Sequence, residues 1–134
     1  IKFTTAHGKL NFPAEYGLSW LLPRMIGLPR ANDLLLTSRI FMSEEAFQFG
    51  LINRLCEPKL LLKETYDYVR LMIETVSPSS LRETRWQVYR DLHRDVDTAV
   101  NESEALIDQM SRQKDYREGV NAFLEKRKPN WTGE

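Results

Sequence analysis

The sequence predicts a mainly α chain, with an irregular first third and a helical remainder that meet near Pro58. Three observations carry that expectation. After Pro58, Leu61, Val69, Met72, Ile73 and Val76 recur at three- and four-residue steps, the spacing of one helix face. Before Pro58, short apolar runs are broken by Gly8, Gly17, Gly27 and Gly50 and by Pro13, Pro23 and Pro29, which is loop and turn chemistry. The 134 residues suit one domain with a single core, and no internal repeat or low-complexity tract divides them.

The elements follow in order. Ile1 to His7 has a β-type composition and is stopped by Gly8. Pro13 to Gly17 reads as loop. A helix over Leu18 to Met25 ends on Gly27 as a C′ glycine, and Pro23 inside it predicts a short or kinked element. Leu28-Pro29 opens a second helix to about Leu36, proline being at home in a first turn. Arg39 to Phe41 is a brief extended piece. Ser43 is an N-cap candidate for a third helix, with Glu44 and Glu45 where the helix dipole favours them. Gly50 closes it, and Leu51 to Cys56 could form a last small strand.

Beyond Pro58 the chain reads as successive helices. Ser77-Pro78 breaks the first and caps the next, which carries Leu81, Trp86 and Val88. Asp95 or Asp97 starts another, with Val96, Val100, Ile107 and Met110. Asp115 to Glu118 is a D-x-x-E pattern close to a capping box, ahead of Val120, Phe123 and Leu124, and Pro129 ends the run. The apolar stripes (Leu61, Val69, Ile73, Trp86, Ile107, Phe123) exceed what these helices bury against one another, which predicts a partner or a second subunit; simple packing within the chain is the plainer alternative.

Composition narrows the function. Nineteen basic and nineteen acidic residues balance, so no field of either sign favours nucleic acid or an anionic membrane. The apolar runs are too short to span a bilayer. Cys56 is the only cysteine, which excludes an internal disulfide and fits a reducing compartment such as the cytoplasm. Two histidines, His7 and His93, argue against a histidine-rich metal site. The opening Ile-Lys-Phe-Thr-Thr reads as a chain cut inside an element, with no signal-like leader.

Glu15 is the first candidate for chemistry. It lies between Pro13 and Gly17, beside Tyr16 and Trp20, and a carboxylate in apolar surroundings is raised toward general acid or base use. The alternative is a solvated loop glutamate or one facing a helix start. His7 could be a base near neutral pH or a packed, hydrogen-bonded histidine. Cys56 reads as a structural thiol. Tyr116 to Lys128 mixes bases and aromatics, but Glu118 and Glu125 argue against a nucleic-acid patch; a solvated face or an anion contact by Lys126 or Arg127 remains.

Three blocks then resemble one family. They are FTTAHGKLNFPAEYGLSWLLPRMIG from Phe3, LLLTSRIFMSEEAFQFGLINRL, and DYREGVNAFLEKRKPNW. The second is similar to an L-T-G-x-x-x-x-A-x-E-A-x-x-x-G-L-V run and the third to D-x-x-E-G-x-x-A-F-x-E-K-R-x-P-x-F. Both runs belong to the crotonase superfamily, the enoyl-CoA hydratase/isomerase family, and here they stand in the family's order over nearly the whole chain. The resemblance is to its C-terminal half. It implies that residues 1–57 are the end of a crotonase-like ββα spiral and 58–134 a helical oligomerisation region, serving a homotrimer or dimer of trimers.

The resemblance also implies an acyl-CoA thioester substrate, with coenzyme A part of the substrate and no further cofactor or metal. The family's oxyanion hole, which holds the thioester oxygen as an enolate develops, is expected upstream of Ile1. The second hydratase glutamate closes an F-G-x-P-E run, and aligned from Phe3 that place is His7, so the hydratase pair is broken. Eight residues on, Glu15 matches an acidic residue used by dienoyl-CoA isomerases and chlorobenzoyl-CoA dehalogenases, and is the implied catalytic carboxylate. His7, Leu10, Tyr16 and Trp20 would line the acyl pocket. Phe123 and Lys126 match an aromatic and a lysine that meet the nucleotide part of CoA. The competing readings are a helical assembly module without activity and a crotonase-like protein that has lost its activity.

Overall fold

The computed structural model describes residues 1–134. The chain forms two compact units, Ile1–Leu60 and Leu61–Glu134. No helix is long and apolar enough to cross a membrane.

The first unit contains two short strands and three helices. β1 (Lys2–Phe3) pairs antiparallel with β2 (Phe41–Met42), setting Lys2 opposite Met42 and Phe3 opposite Phe41. The Phe3 and Phe41 rings stack with centroids 5.5 Å apart. α1 (Leu18–Ile26), α2 (Leu28–Thr37) and α3 (Ser43–Gln48) supply the core: Leu22 and Ile26, Ala31 and Leu34, and Ala46 meet Phe41. Gly27 lies between α1 and α2 at φ 81, a left-handed value that glycine adopts without strain, so the chain turns from one helix into the next with no intervening loop.

The extended run is shorter than expected. Thr4 and Thr5 leave the strand because their hydroxyls donate to the Ser38 and Leu34 carbonyls at 3.1 Å each, satisfying acceptors at the end of α2. A 3-10 turn follows at His7–Leu10. α1 runs through Pro23 to Ile26 rather than stopping at Met25. Ser43 is not the cap of α3. Met42 holds that position, and the Ser43 amide instead donates to Ile1 O at 3.1 Å, prolonging the strand pairing. No strand forms over Leu51 to Cys56. Gly50 turns the chain at φ 77 and the Leu51 amide returns to Ala46 O at 2.9 Å, so Leu51 and Ile52 pack against the core instead.

The second unit is helical: α4 (Leu61–Thr75), α5 (Pro78–Asp91), α6 (Val96–Met110) and α7 (Lys114–Leu124). Asp95, one of the two expected starts, caps α6 by accepting from the Thr98 amide at 2.8 Å. Pro78 stands in the first turn of α5, but the Ser77 hydroxyl makes no cap and turns to Asp115 at 3.3 Å.

The D-x-x-E pattern is not a capping box, since Gln113 holds the N-cap of α7. Asp115, buried at 3% exposure, accepts from the Thr132 amide (2.7 Å) and hydroxyl (2.9 Å) and from the Gly133 amide (2.9 Å). Glu118 accepts from the Asn130 amide at 2.6 Å and pairs with Arg127. The two carboxylates thus fasten the segment after Pro129 onto α7. Gly119 leaves room for it: a Cβ there would stand 3.2 Å from the Trp131 ring. The helical spacing survives, but much of its apolar face is uncovered, with Ile73 65%, Ile107 67% and Phe123 83% exposed.

Candidate functional site

The loop from Thr5 to Gly17 carries the residues singled out in the first unit. Several of its residues hold left-handed backbone without being glycine: Ala6 (φ 53), Asn11 (φ 60) and Tyr16 (φ 52). Such conformations cost of order 1 kcal/mol or more each and persist only where the surroundings hold them. The surroundings here are backbone bonds (His7 amide to Thr5 O, 2.6 Å; Phe12 amide to His7 O, 3.0 Å) and the end of α2.

His7 is buried, and its Nδ1 lies 3.3 Å from the Phe12 carbonyl oxygen. A carbonyl only accepts, so Nδ1 carries a proton toward Phe12, and Nε2 has no partner in the chain. His7 stands on the wall of a cavity of about 470 Å³, with Gly8, Phe12, Pro13, Ala14, Ser19, Pro23, Leu28, Asn32, Leu35 and Leu36. The wall is mostly apolar with a few polar groups, the usual make-up of a small-molecule pocket.

The other predicted residues are not on that wall. Glu15 follows directly after Pro13 and Ala14 but is itself exposed, and no ion pair engages its carboxylate. The apolar enclosure expected for it is not built by this chain, because its sequence neighbour Tyr16 is 97% exposed. Leu10 is also exposed, at 64%. Trp20 is half-buried, with the Arg24 guanidinium 4.0 Å over its ring and Arg24 Nη1 donating to the Trp20 carbonyl at 2.8 Å.

In the second unit, Phe123 and Lys126 are exposed at the C-terminal end of α7. Lys126 takes φ 55, and the Arg127 amide reaches back to Ala122 O at 3.0 Å, which is a helix stop of the kind usually made by glycine. Arg127 is held by Glu118 and Glu125, whose carboxylates together raise its pKa. Lys126 makes no ion pair of its own. No three His, Cys, Asp or Glu side chains converge in the manner of a metal site.

Sequence reasoning missed Ser38 and read Asp115 as part of a capping pattern rather than as the anchor of Thr132 and Gly133. Ser38 is 1% exposed at φ 46, and its hydroxyl receives the Gly8 amide at 3.1 Å. The second resembling block has Ser38 where the family run has glycine, and that departure was the available signal.

The sequence profile of the enoyl-CoA hydratase/isomerase family matches residues 1–134, and the chain belongs to this family. It is similar to the 1,2-epoxyphenylacetyl-CoA isomerase of Escherichia coli, 31% identical over 132 residues that cover 98% of this chain and 50% of that protein. It is 29% identical over 142 residues to the trans-2-decenoyl-acyl-carrier-protein isomerase of Streptococcus mutans, again covering 98% and 50%. Among solved structures, the enoyl-CoA hydratase of Bacillus anthracis superposes with a TM-score of 0.92 at 26% identity, over 99% of this chain and 51% of that one. The fold is that of the C-terminal half of a crotonase, and the chain spans about half the length of the relatives it matches.

Proposed function

We propose that this chain serves an enzyme acting on an acyl-CoA thioester by proton transfer at the carbon next to the thioester carbonyl, with Glu15 as the acid/base. The observation that carries the reading is the family match over residues 1–134 together with an unpaired, accessible carboxylate directly after the cavity residues Pro13 and Ala14. An enolate forms as the proton leaves, and its oxygen needs two hydrogen-bond donors, which we assign outside residues 1–134; the chain alone is then inactive. Glu15 removes a proton from one carbon and returns it at another, so the pair of steps is an isomerisation that needs no cofactor beyond the CoA of the substrate. His7 at the place of the second hydratase glutamate favours isomerase over hydratase chemistry, because an imidazole donating to the Phe12 carbonyl replaces a carboxylate there.

Within the same reading, His7, Leu10, Tyr16 and Trp20 meet the acyl group, and Phe123 and Lys126 take the adenine face and a phosphate of CoA. The exposed apolar residues of α4, α6 and α7 support a homotrimer or dimer of trimers. They equally fit a helical assembly module without activity, which predicts association of residues 58–128 and no acyl-CoA binding. The single free cysteine supports a cytoplasmic setting. Glu15→Gln in the intact protein separates the readings. Turnover should fall by about 100-fold or more with an unchanged melting temperature, the scale of a lost general acid/base. Unchanged turnover would remove Glu15 from the mechanism.

A further inference from the structure

Ser38 ends α2 in the left-handed conformation, where glycine is the easy residue, and it is buried. Its hydroxyl accepts the Gly8 amide at 3.1 Å and lies 3.3 Å from the Thr5 hydroxyl. Thr5 has one hydroxyl hydrogen, and the Leu34 carbonyl, which can only accept, takes it at 3.1 Å. Ser38 therefore supplies the hydrogen between the two hydroxyls. The result is a directed relay from the Gly8 amide through Ser38 and Thr5 to the end of α2. It brackets His7, whose own amide bonds to Thr5 O. The partners are also matched in size, since a Cβ on Gly8 would stand 2.8 Å from Ser38 Oγ.

We propose that Ser38 is a positioning residue for His7: its hydroxyl relay fixes the Thr5–Gly8 turn, and with it where the imidazole stands on the cavity wall and which acyl groups fit. This rests on the reading of the site as an acyl-CoA site. Glycine at position 38, as in the family run, would keep the backbone at ease but leave the Gly8 amide and the Thr5 hydroxyl without the link, so the turn could relax.

The test uses the intact protein with S38G, G8A and the double variant G8A/S38G. S38G should shift the His7 ring nitrogen signals in NMR. It should also change the ratio of KM for crotonyl-CoA to KM for trans-2-decenoyl-CoA about fivefold, the worth of one hydrogen bond, with kcat little altered. G8A should lower the melting temperature, because its methyl meets Ser38 Oγ. G8A/S38G should restore the melting temperature but neither the KM ratio nor the His7 signals. Restoration of all three in the double variant would mean that the pair only fills space, and would overturn the proposal. So would S38G with unmoved His7 signals, or with moved signals and an unchanged KM ratio. If Glu15→Gln leaves turnover intact, the acid/base reading fails while the His7 signals and KM ratio still decide on Ser38.

Discussion

Replacing Asp115 by alanine should release the C-terminal segment from α7. The carboxylate gathers three donors from Thr132 and Gly133 and a fourth from the Ser77 hydroxyl at 3.3 Å. Hydrogen bonds to a charged group contribute about 1.5–3 kcal/mol each, so the gross loss is on the order of 6–12 kcal/mol. The freed segment regains conformational freedom worth about 1–2 kcal/mol per residue, and it runs from Asn130 to Glu134, so a net loss of about 1.5 kcal/mol remains. For a unit of this size that is a fall of about 9 °C in melting temperature. The assay is thermal unfolding followed by circular dichroism, with Trp131 fluorescence in a Trp20→Phe, Trp86→Phe background. A loss under about 0.5 kcal/mol, the range of an ordinary surface substitution, with unshifted Trp131 emission would refute the fastening role.

The same contact predicts acid sensitivity. Burial pushes Asp115 up, but hydrogen bonds from Thr132, Gly133 and Ser77 together outweigh it and hold the group below its ordinary value. Glu118 is drawn down to about 2, first by its hydrogen bonds from Arg127 and then by the Asn130 amide. Both carboxylates are depressed in the folded state, so the unfolded chain binds protons first as the pH drops. Their stabilisation is complete above the unfolded values near 4 and is lost as the pH falls toward about 2. Trp131 emission should report release of the segment in that window in the wild type, and the dependence should flatten in Asp115→Ala.

Two further outcomes test the first unit. Leu34→Ala removes a side chain with no exposure from the shared core of α1, α2 and α3, and should cost about 3 kcal/mol in urea unfolding with an unchanged m-value. Arg39 donates to Asp33 at 2.5 and 2.9 Å and to Glu45 at 2.5 and 3.0 Å, joining α2 to α3 across the strand. Arg39→Ala should lower the melting temperature by a few degrees, and much of that difference should vanish at about 1 M salt, where charges are screened beyond about 3 Å.

The helices were legible because their signals are local. The three- and four-residue apolar spacing, Gly27 between two helices, Pro78 in a first turn and Asp95 as a cap all act within a few residues of themselves. Where a polar side chain had a distant partner, local rules failed. Thr4 and Thr5 have strand propensity, yet serve the carbonyls of α2 some thirty positions away. Asp115 and Glu118 have the spacing of a capping box, yet hold a segment that follows their helix. Ser43 suits an N-cap, but strand pairing claimed its amide.

The candidate site divides in the same way. Sequence alone marked His7 and Glu15, through residue type and the spacing of a family run. It could not tell that His7 would be buried while Glu15, eight positions on, would be exposed, because enclosure depends on which elements pack over a loop. The second period of the helical half was likewise readable from residue order. Which of its faces stays uncovered was not, since burial is a property of the packed chain: Ala122 is enclosed and the adjacent Phe123 is 83% exposed on the same helix. Sequence determined the elements, because hydrogen bonds between near neighbours depend only on local order. Tertiary structure decided the partners of Ser38, Asp115 and His7, because a buried polar group must find its hydrogen bond wherever the fold brings one within reach.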